Sequence, residues 1–197
     1  MEYSAGGERI LEVAARLFYA EGIGAIGVDR VVEESGVSKP TLYAQFGSKA
    51  GLIAAVLDRR RADRERTITS HLGHLPADTE SRVLTLFDWF AAGHASPGFR
   101  GCPFTNAAAE LPDAEHPARA VIAAYKDWMR TLLADLAAAD GLPDPPWWGS
   151  TLMFLIDGAN ARVISTGDTA AIADARTSAE AMIAAAPALP LNSKETR

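Results

Sequence analysis

The stretch GVSKPTLYAQFGSK, residues 36–49, packs two lysines, two serines, a threonine, a tyrosine and a glutamine into a chain whose net charge is −6. Gly36 ends the helix before it. Ser38 stands where an N-cap belongs, and Pro40 lies in the first turn, where its missing N–H costs nothing. The helix this opens is short, from Lys39 to about Gln45, and Ser48 starts another. Val37, Leu42 and Phe46 can pack inward, the last two being four residues apart, while Lys39, Thr41, Tyr43 and Gln45 can project outward. Such a helix is polar at its front and apolar where it rests on a scaffold.

The flanks supply that scaffold. Ile10, Val13, Ala14, Leu17 and Phe18 recur at helical spacing, which predicts a helix over 8–21 with Gly22 as its left-handed stop. VDRVVEES (28–35) puts three valines on one side and Asp29, Arg30, Glu33 and Glu34 on the other. From Ser48, the residues Leu52, Ile53, Val56 and Leu57 face inward, and the helix runs through RRRADRER (59–66) to about residue 72. RRRADRER reads as a solvated face with internal salt links. Between the second and third helices lies a tight Gly-Val-Ser turn, the length and composition of a helix-turn-helix. In that motif the second helix enters the major groove of DNA with its first residues toward the bases. Lysine and threonine reach phosphates or base edges, glutamine pairs with adenine, and tyrosine holds a phosphate. Free backbone N–H groups at Ser38 and Lys39 add anion affinity, and Lys49 brings a cation to the next helix start. The bare pattern is equally compatible with a three-helix core that meets no DNA.

The segment ILEVAARLFYAEGIGAIGVDRVVEESGVSKPTLYAQFGSKAGLIAAVL (10–57) closely resembles the amino-terminal domain of the TetR, or tetracycline-repressor-like, family. The resemblance implies a homodimeric, ligand-responsive transcriptional regulator acting on double-stranded DNA at a palindromic operator. It implies that helix 39–45 reads DNA, that Tyr43 and Lys49 hold phosphates, and that Ser38 and Thr41 lie at the interface. Arg30 and Pro40 complete the candidate DNA-contacting set with Lys39 and Gln45. There are departures. Gly27 stands where the family usually has Ser or Thr, Ala50 replaces a frequent glutamate, and Gly51 in a first helical turn costs up to ~1 kcal/mol of helix propensity.

The bulk composition fits this expectation. A chain of 197 residues is long enough to bury a core without disulfides or structural metal. One cysteine excludes an internal disulfide, no C-x-x-C pair suggests zinc, and a reducing, cytoplasmic setting is expected. The first residues lack the basic start of a signal peptide, and no run is apolar enough to span a membrane. Residues 1–66 hold ten Lys/Arg and ten Asp/Glu, so their net charge is zero; residues 67–197 hold nine and fifteen, net −6. The acidic excess lies outside the DNA-reading segment.

Beyond Pro76 the pattern predicts helices over 79–95, 103–111, 116–139, 146–166 and 170–186, with no strand-like alternation and a frayed tail, PALPLNSKETR (187–197). The fold expectation is all-α: a helix-turn-helix domain over 1–50, then a ligand-binding and dimerisation domain over 51–197, linked by the helix from 48 to about 72. Within GCPFTNAAAE (101–110), Cys102, Asn106 and Glu110 share a helix face, and Cys102 lies at the helix N-terminus. The thiol reads either as a buried small hydrophobe or as a reactive sensor of electrophiles or oxidants. A small, mostly apolar effector would be walled by Phe87, Phe90, Phe104, Trp128 and Phe154, with Cys102, Asn106 and Asp157 as polar contacts.

WWGSTLMFLIDGANARVI (147–164) is apolar on more than one side, so one face needs a cover from outside its own domain. By resemblance the last two long helices form a dimer bundle, with Trp148, Leu152, Leu155, Gly158, Ala159, Met182 and Ile183 at the interface; the alternative is a monomer whose long helix is central. His71 and His74 read as surface histidines, not metal ligands. An enzyme would need Cys102 with His94 or His116, and cysteine-hydrolase and phosphate-loop signatures are absent. No cofactor and no catalytic residue is expected.

Overall fold

The computed structural model describes residues 3–187. Among the described residues the chain is all-α, with nine helices and no strand. They are α1 (Ala5–Glu21), α2 (Val28–Ser35), α3 (Lys39–Phe46), α4 (Lys49–Gly73), α5 (Arg82–His94), α6 (Pro103–Glu110), α7 (Pro117–Ala139), α8 (Pro145–Thr166) and α9 (Ala171–Ala184). Apart from Pro187, the tail expected to fray lies outside the described residues. Helix α1 starts three residues earlier than its apolar period predicts. Ser4 caps it, its hydroxyl accepting the Gly7 N–H at 3.1 Å, and this offsets the poor propensity of Ala-Gly-Gly.

The described residues divide into two compact units, residues 3–71 with 100–127, and residues 72–99 with 128–187. In the first, α1, α2 and α3 pack on one another around Ile10, Ala14, Val31 and Leu42, all fully buried. Phe104 on α6 stacks on Tyr125 of α7 at 3.9 Å between ring centres. In the second, α9 packs on both α5 and α8. Asp140 caps the start of α5 from outside, its carboxylate accepting from the Ser81 hydroxyl at 2.8 Å and from the N–H groups of Arg82 and Val83 at 2.9 and 3.0 Å. Gly149 lets α8 approach α7: a Cβ there would lie 2.6 Å from the Arg130 carbonyl oxygen.

The arginine run on α4 is solvated in part. Arg61 bridges Asp58 and Glu65, and Arg66 pairs with Asp63, as a solvated face requires. Arg60 departs from that expectation. It follows Ile53, Val56 and Leu57 around the buried side of α4, and its guanidinium lies 4.8 Å from the ring centre of Tyr19. Desolvation lowers its pKa, and the Tyr19 face partly offsets the lost hydration. His71 is half-buried and His74 is exposed.

Candidate nucleic-acid interface

Gly36 ends α2 in the left-handed conformation at φ 63°, ψ 20°, with its N–H donating to the Val32 carbonyl at 3.0 Å. The chain re-enters a helix at once. Ser38 is extended, and its hydroxyl accepts the Thr41 N–H at 3.3 Å while lying 2.8 Å from the Thr41 hydroxyl. Leu42 and Phe46 are buried, as is Val37 in the turn. The Tyr3 ring centre lies 5.1 Å from that of Phe46. The apolar side of α3 is thereby fixed, and Ser38, Lys39, Pro40 and Tyr43 are exposed on its other side. Tyr43 keeps 43% of its surface open. Thr41 is half-buried beside the cap.

Lys39 and Arg30 are already paired with acids. Lys39 donates to Asp29 at 2.6 Å, which raises the lysine pKa. Arg30 binds Glu34 at 2.5 Å and lies 3.8 Å from Glu21. Glu34 also accepts from Arg16 at 2.6 Å, and these two hydrogen bonds hold its carboxyl below the usual range. All these pairs are at the surface, where each contributes little and a phosphate can take the place of the carboxylate.

Two residues expected to point outward do not do so freely. Gln45 is half-buried, and its side-chain oxygen accepts the Ser4 N–H at 3.2 Å, because an N–H at the entry to α1 has no partner within its own helix. The Lys49 ammonium donates to the Ile23 carbonyl at 2.7 Å and is half-buried. Gly27 precedes α2 with no side-chain cap. Gly51 has a physical cause that its propensity conceals: a Cβ there would lie 2.1 Å from the Phe46 carbonyl oxygen.

A further set of contacts to α1 is invisible in the local pattern. Arg100 donates to the carbonyls of Tyr19 (3.0 Å) and Ala20, capping the end of α1. The Arg100 N–H donates to the Tyr19 hydroxyl at 2.8 Å, which donates to Gly101 O at 2.9 Å. Asn106 donates to Arg100 O at 2.8 Å, and Glu110 accepts the Gly24 N–H at 2.7 Å. Only the i, i+4, i+8 spacing of Cys102, Asn106 and Glu110 hinted at a working face. Cys102 is buried at the α6 N-cap and packs there as a small apolar side chain.

The expected effector residues are divided between the two units. Cys102, Phe104 and Asn106 belong to the first unit, and Phe87, Phe90, Trp128, Phe154 and Asp157 to the second. Phe87, Phe90 and Phe104 are buried, and Trp128 and Asp157 half-buried. Phe154 is 73% exposed on α8. Of the set, Asn106 lines a cavity of about 30 Å³ among α1, α4 and α6, too small for a drug-sized molecule.

Trp148, Leu152 and Ala159 are buried within the chain, on the opposite side of α8 from Phe154. Leu155, Met182 and Ile183 are half-buried and Gly158 is exposed. The open face of α8 carries Trp147 (50% exposed), Phe154, Gly158 and Ala161, which recur at helical spacing, with Ile164 (52%) at its margin.

A short polar helix capped by serine, set across a glycine turn from the helix before it, is the arrangement of a helix-turn-helix. Residues 10–56 match the family model described as "Bacterial regulatory proteins, tetR family", and residues 79–179 match "Tetracyclin repressor-like, C-terminal domain". The chain belongs to the TetR family of transcriptional regulators. It is 34% identical to SCO4454, a TetR-family transcriptional regulator from Streptomyces coelicolor, with 92% of this chain and 96% of that one aligned at a TM-score of 0.84. It is 30% identical over 142 residues to the transcriptional repressor SCO4008 of Streptomyces coelicolor, covering 68% of this chain and 70% of that protein. The similarity to the transcriptional repressor ComR of Escherichia coli K12, 39% over 82 residues, covers 42% of this chain and 38% of ComR's length. No helix of the described residues is long and apolar enough to cross a membrane.

Proposed function

We propose that the chain works as a cytoplasmic homodimer that represses transcription from a palindromic operator and leaves it when a small, mostly apolar effector binds. Residues 1–50 carry DNA reading, and residues 51–197 carry effector binding and dimerisation. The observation that carries this reading is the build of α3: Leu42 and Phe46 anchor it, leaving Ser38, Lys39, Pro40 and Tyr43 open toward a groove. Thr41 and Arg30 flank them. Lys39 and Arg30 exchange their acidic partners for phosphates on docking. Gln45 gives up the Ser4 N–H to reach a base edge, and Lys49 meets a phosphate.

Two reading helices need two chains. The exposed apolar stripe of Trp147, Phe154, Gly158 and Ala161 on α8 supports pairing through that face, with Leu155, Met182 and Ile183 at its border. The effector is placed in the second unit, among Phe87, Phe90, Trp128 and Asp157, and acts by preferring one separation of the reading heads over another. The names of the relatives SCO4008 and ComR support repression. No catalytic step and no cofactor enter this scheme.

The test is a fluorescence-anisotropy titration with DNA from the protein's own upstream region at two salt concentrations. Binding should weaken steeply with salt. Lys49→Ala should weaken all sequences alike and reduce the salt slope by about 1, whereas Gln45→Ala should change sequence preference. Equal losses on specific and random DNA for both substitutions would contradict this division of roles. Mass spectrometry of small molecules released from the denatured protein identifies the effector.

A further inference from the structure

The turn between α1 and α2 contains one peptide unit, Ile23–Gly24, whose two polar groups are both taken by charged side chains remote in sequence. Its N–H, on Gly24, donates to the Glu110 carboxylate at 2.7 Å. Its carbonyl, on Ile23, accepts from the Lys49 ammonium at 2.7 Å. An anion at the amide end and a cation at the carbonyl end polarise the same peptide in the same sense, so each bond strengthens the other. The Ile23 side chain is buried and holds the peptide from below. Gly22, at φ 96°, gives the carboxylate room: a Cβ there would meet a Glu110 oxygen at 3.1 Å.

We propose that Glu110 is a positioning residue for the Lys49 ammonium and, through it, for the grip on the DNA backbone. The proposal rests on the reading of Lys49 as a phosphate contact. The ammonium has three donors; Ile23 takes one and leaves two for phosphate oxygens. An ammonium already tied to a polarised carbonyl loses less freedom on docking than one at the end of a free four-carbon stem. Glu110 touches no DNA in this scheme. It acts by fixing the peptide on which Lys49 rests.

A double-mutant cycle on the full chain tests this, read by anisotropy with a fluorescein-labelled duplex of random sequence at two salt concentrations. Glu110→Gln keeps the shape and an acceptor oxygen but loses the charge. It should weaken binding about threefold in the otherwise unsubstituted chain and have no further effect in the Lys49→Ala background. The same weakening in both backgrounds overturns the proposal, because Glu110 then acts by another route. If Lys49→Ala alone leaves affinity and salt dependence unchanged, the phosphate reading of Lys49 fails, and the proposal with it; that result involves no change at Glu110 and is therefore distinguishable. A second measurement is independent of DNA. In ¹⁵N-glycine-labelled protein, Lys49→Ala should shift the Gly24 amide proton upfield, and an unmoved Gly24 resonance refutes the shared-peptide coupling.

Discussion

The hydroxyl oxygens of Ser38 and Thr41 lie 2.8 Å apart across the first turn of α3. Each hydroxyl carries a single proton, so one proton is used between them and the other remains for solvent or a phosphate. Ser38 also caps the helix through the Thr41 N–H. Ser38→Ala should therefore cost about 1 kcal/mol of stability and weaken DNA binding as well. Thr41→Val keeps the cap and the shape; it should spare the melting temperature and lower affinity alone. Thermal melts and anisotropy on both variants separate the two effects.

Gly51 and Gly27 lie on either side of α3 in sequence and should respond oppositely to an added side chain. At Gly51 a Cβ meets the Phe46 carbonyl oxygen at 2.1 Å, and a backbone oxygen does not yield as a flexible side chain would. Gly51→Ala should destabilise by roughly 1–3 kcal/mol through overpacking, despite alanine's better helix propensity. A chemical-denaturation midpoint at or above that of the unsubstituted protein would show that the α3–α4 junction relaxes freely.

At Gly27 nothing lies within 4 Å of an added Cβ, and α2 has no side-chain cap. Gly27→Ser should stabilise the protein by roughly a few tenths of a kcal/mol through an N-cap. It should also tighten DNA binding by adding a hydroxyl at the start of α2 that can reach a phosphate. Denaturation and anisotropy check the two parts separately.

Helix α8 offers a contrast between its faces. Phe154→Lys puts a charge on the exposed stripe and should leave the melting temperature of the monomer nearly unchanged while shifting sedimentation toward a single chain. Leu152→Ala opens a cavity in the core instead, and should cost roughly 2–5 kcal/mol with no direct effect on pairing. Sedimentation unaffected by Phe154→Lys would move the interface elsewhere.

Acid should loosen the contact between α1 and α2. Hydrogen bonds from Arg16 and then Arg30 lower the Glu34 pKa. A carboxyl whose folded pKa lies below its unfolded value contributes fully above the unfolded value, and the contribution is lost as pH falls through the folded one. Glu34→Gln should therefore lower the melting temperature near neutral pH and flatten its decline in acid. Melts from neutral pH down through the carboxylate range make the comparison.

The reading helix was legible because its signals are local. Gly36, Ser38 and Pro40 mark a stop, a cap and a first turn within five residues, and Leu42 and Phe46 lie one helical turn apart. The contacts of Arg100 and Glu110 were not legible, because they join residues roughly 80 or more positions apart and leave no period in the sequence. On α8 the apolar residues extend around the helix, so composition could not tell which of Trp147 and Trp148 faces outward. The same ambiguity hid that Phe154 is exposed and Leu152 buried. Arg60 was masked by its neighbours: in a run of arginines, only its step from Val56 and Leu57 separates it from the solvated ones.

Of the eight residues of α3, Leu42 and Phe46 are the ones buried in the core. On the proposed reading, holding the helix in place and choosing which bases it prefers are thus duties of different side chains. If α3 reads bases as proposed, mutation can rewrite the address this protein recognises while the architecture beneath goes on folding as before.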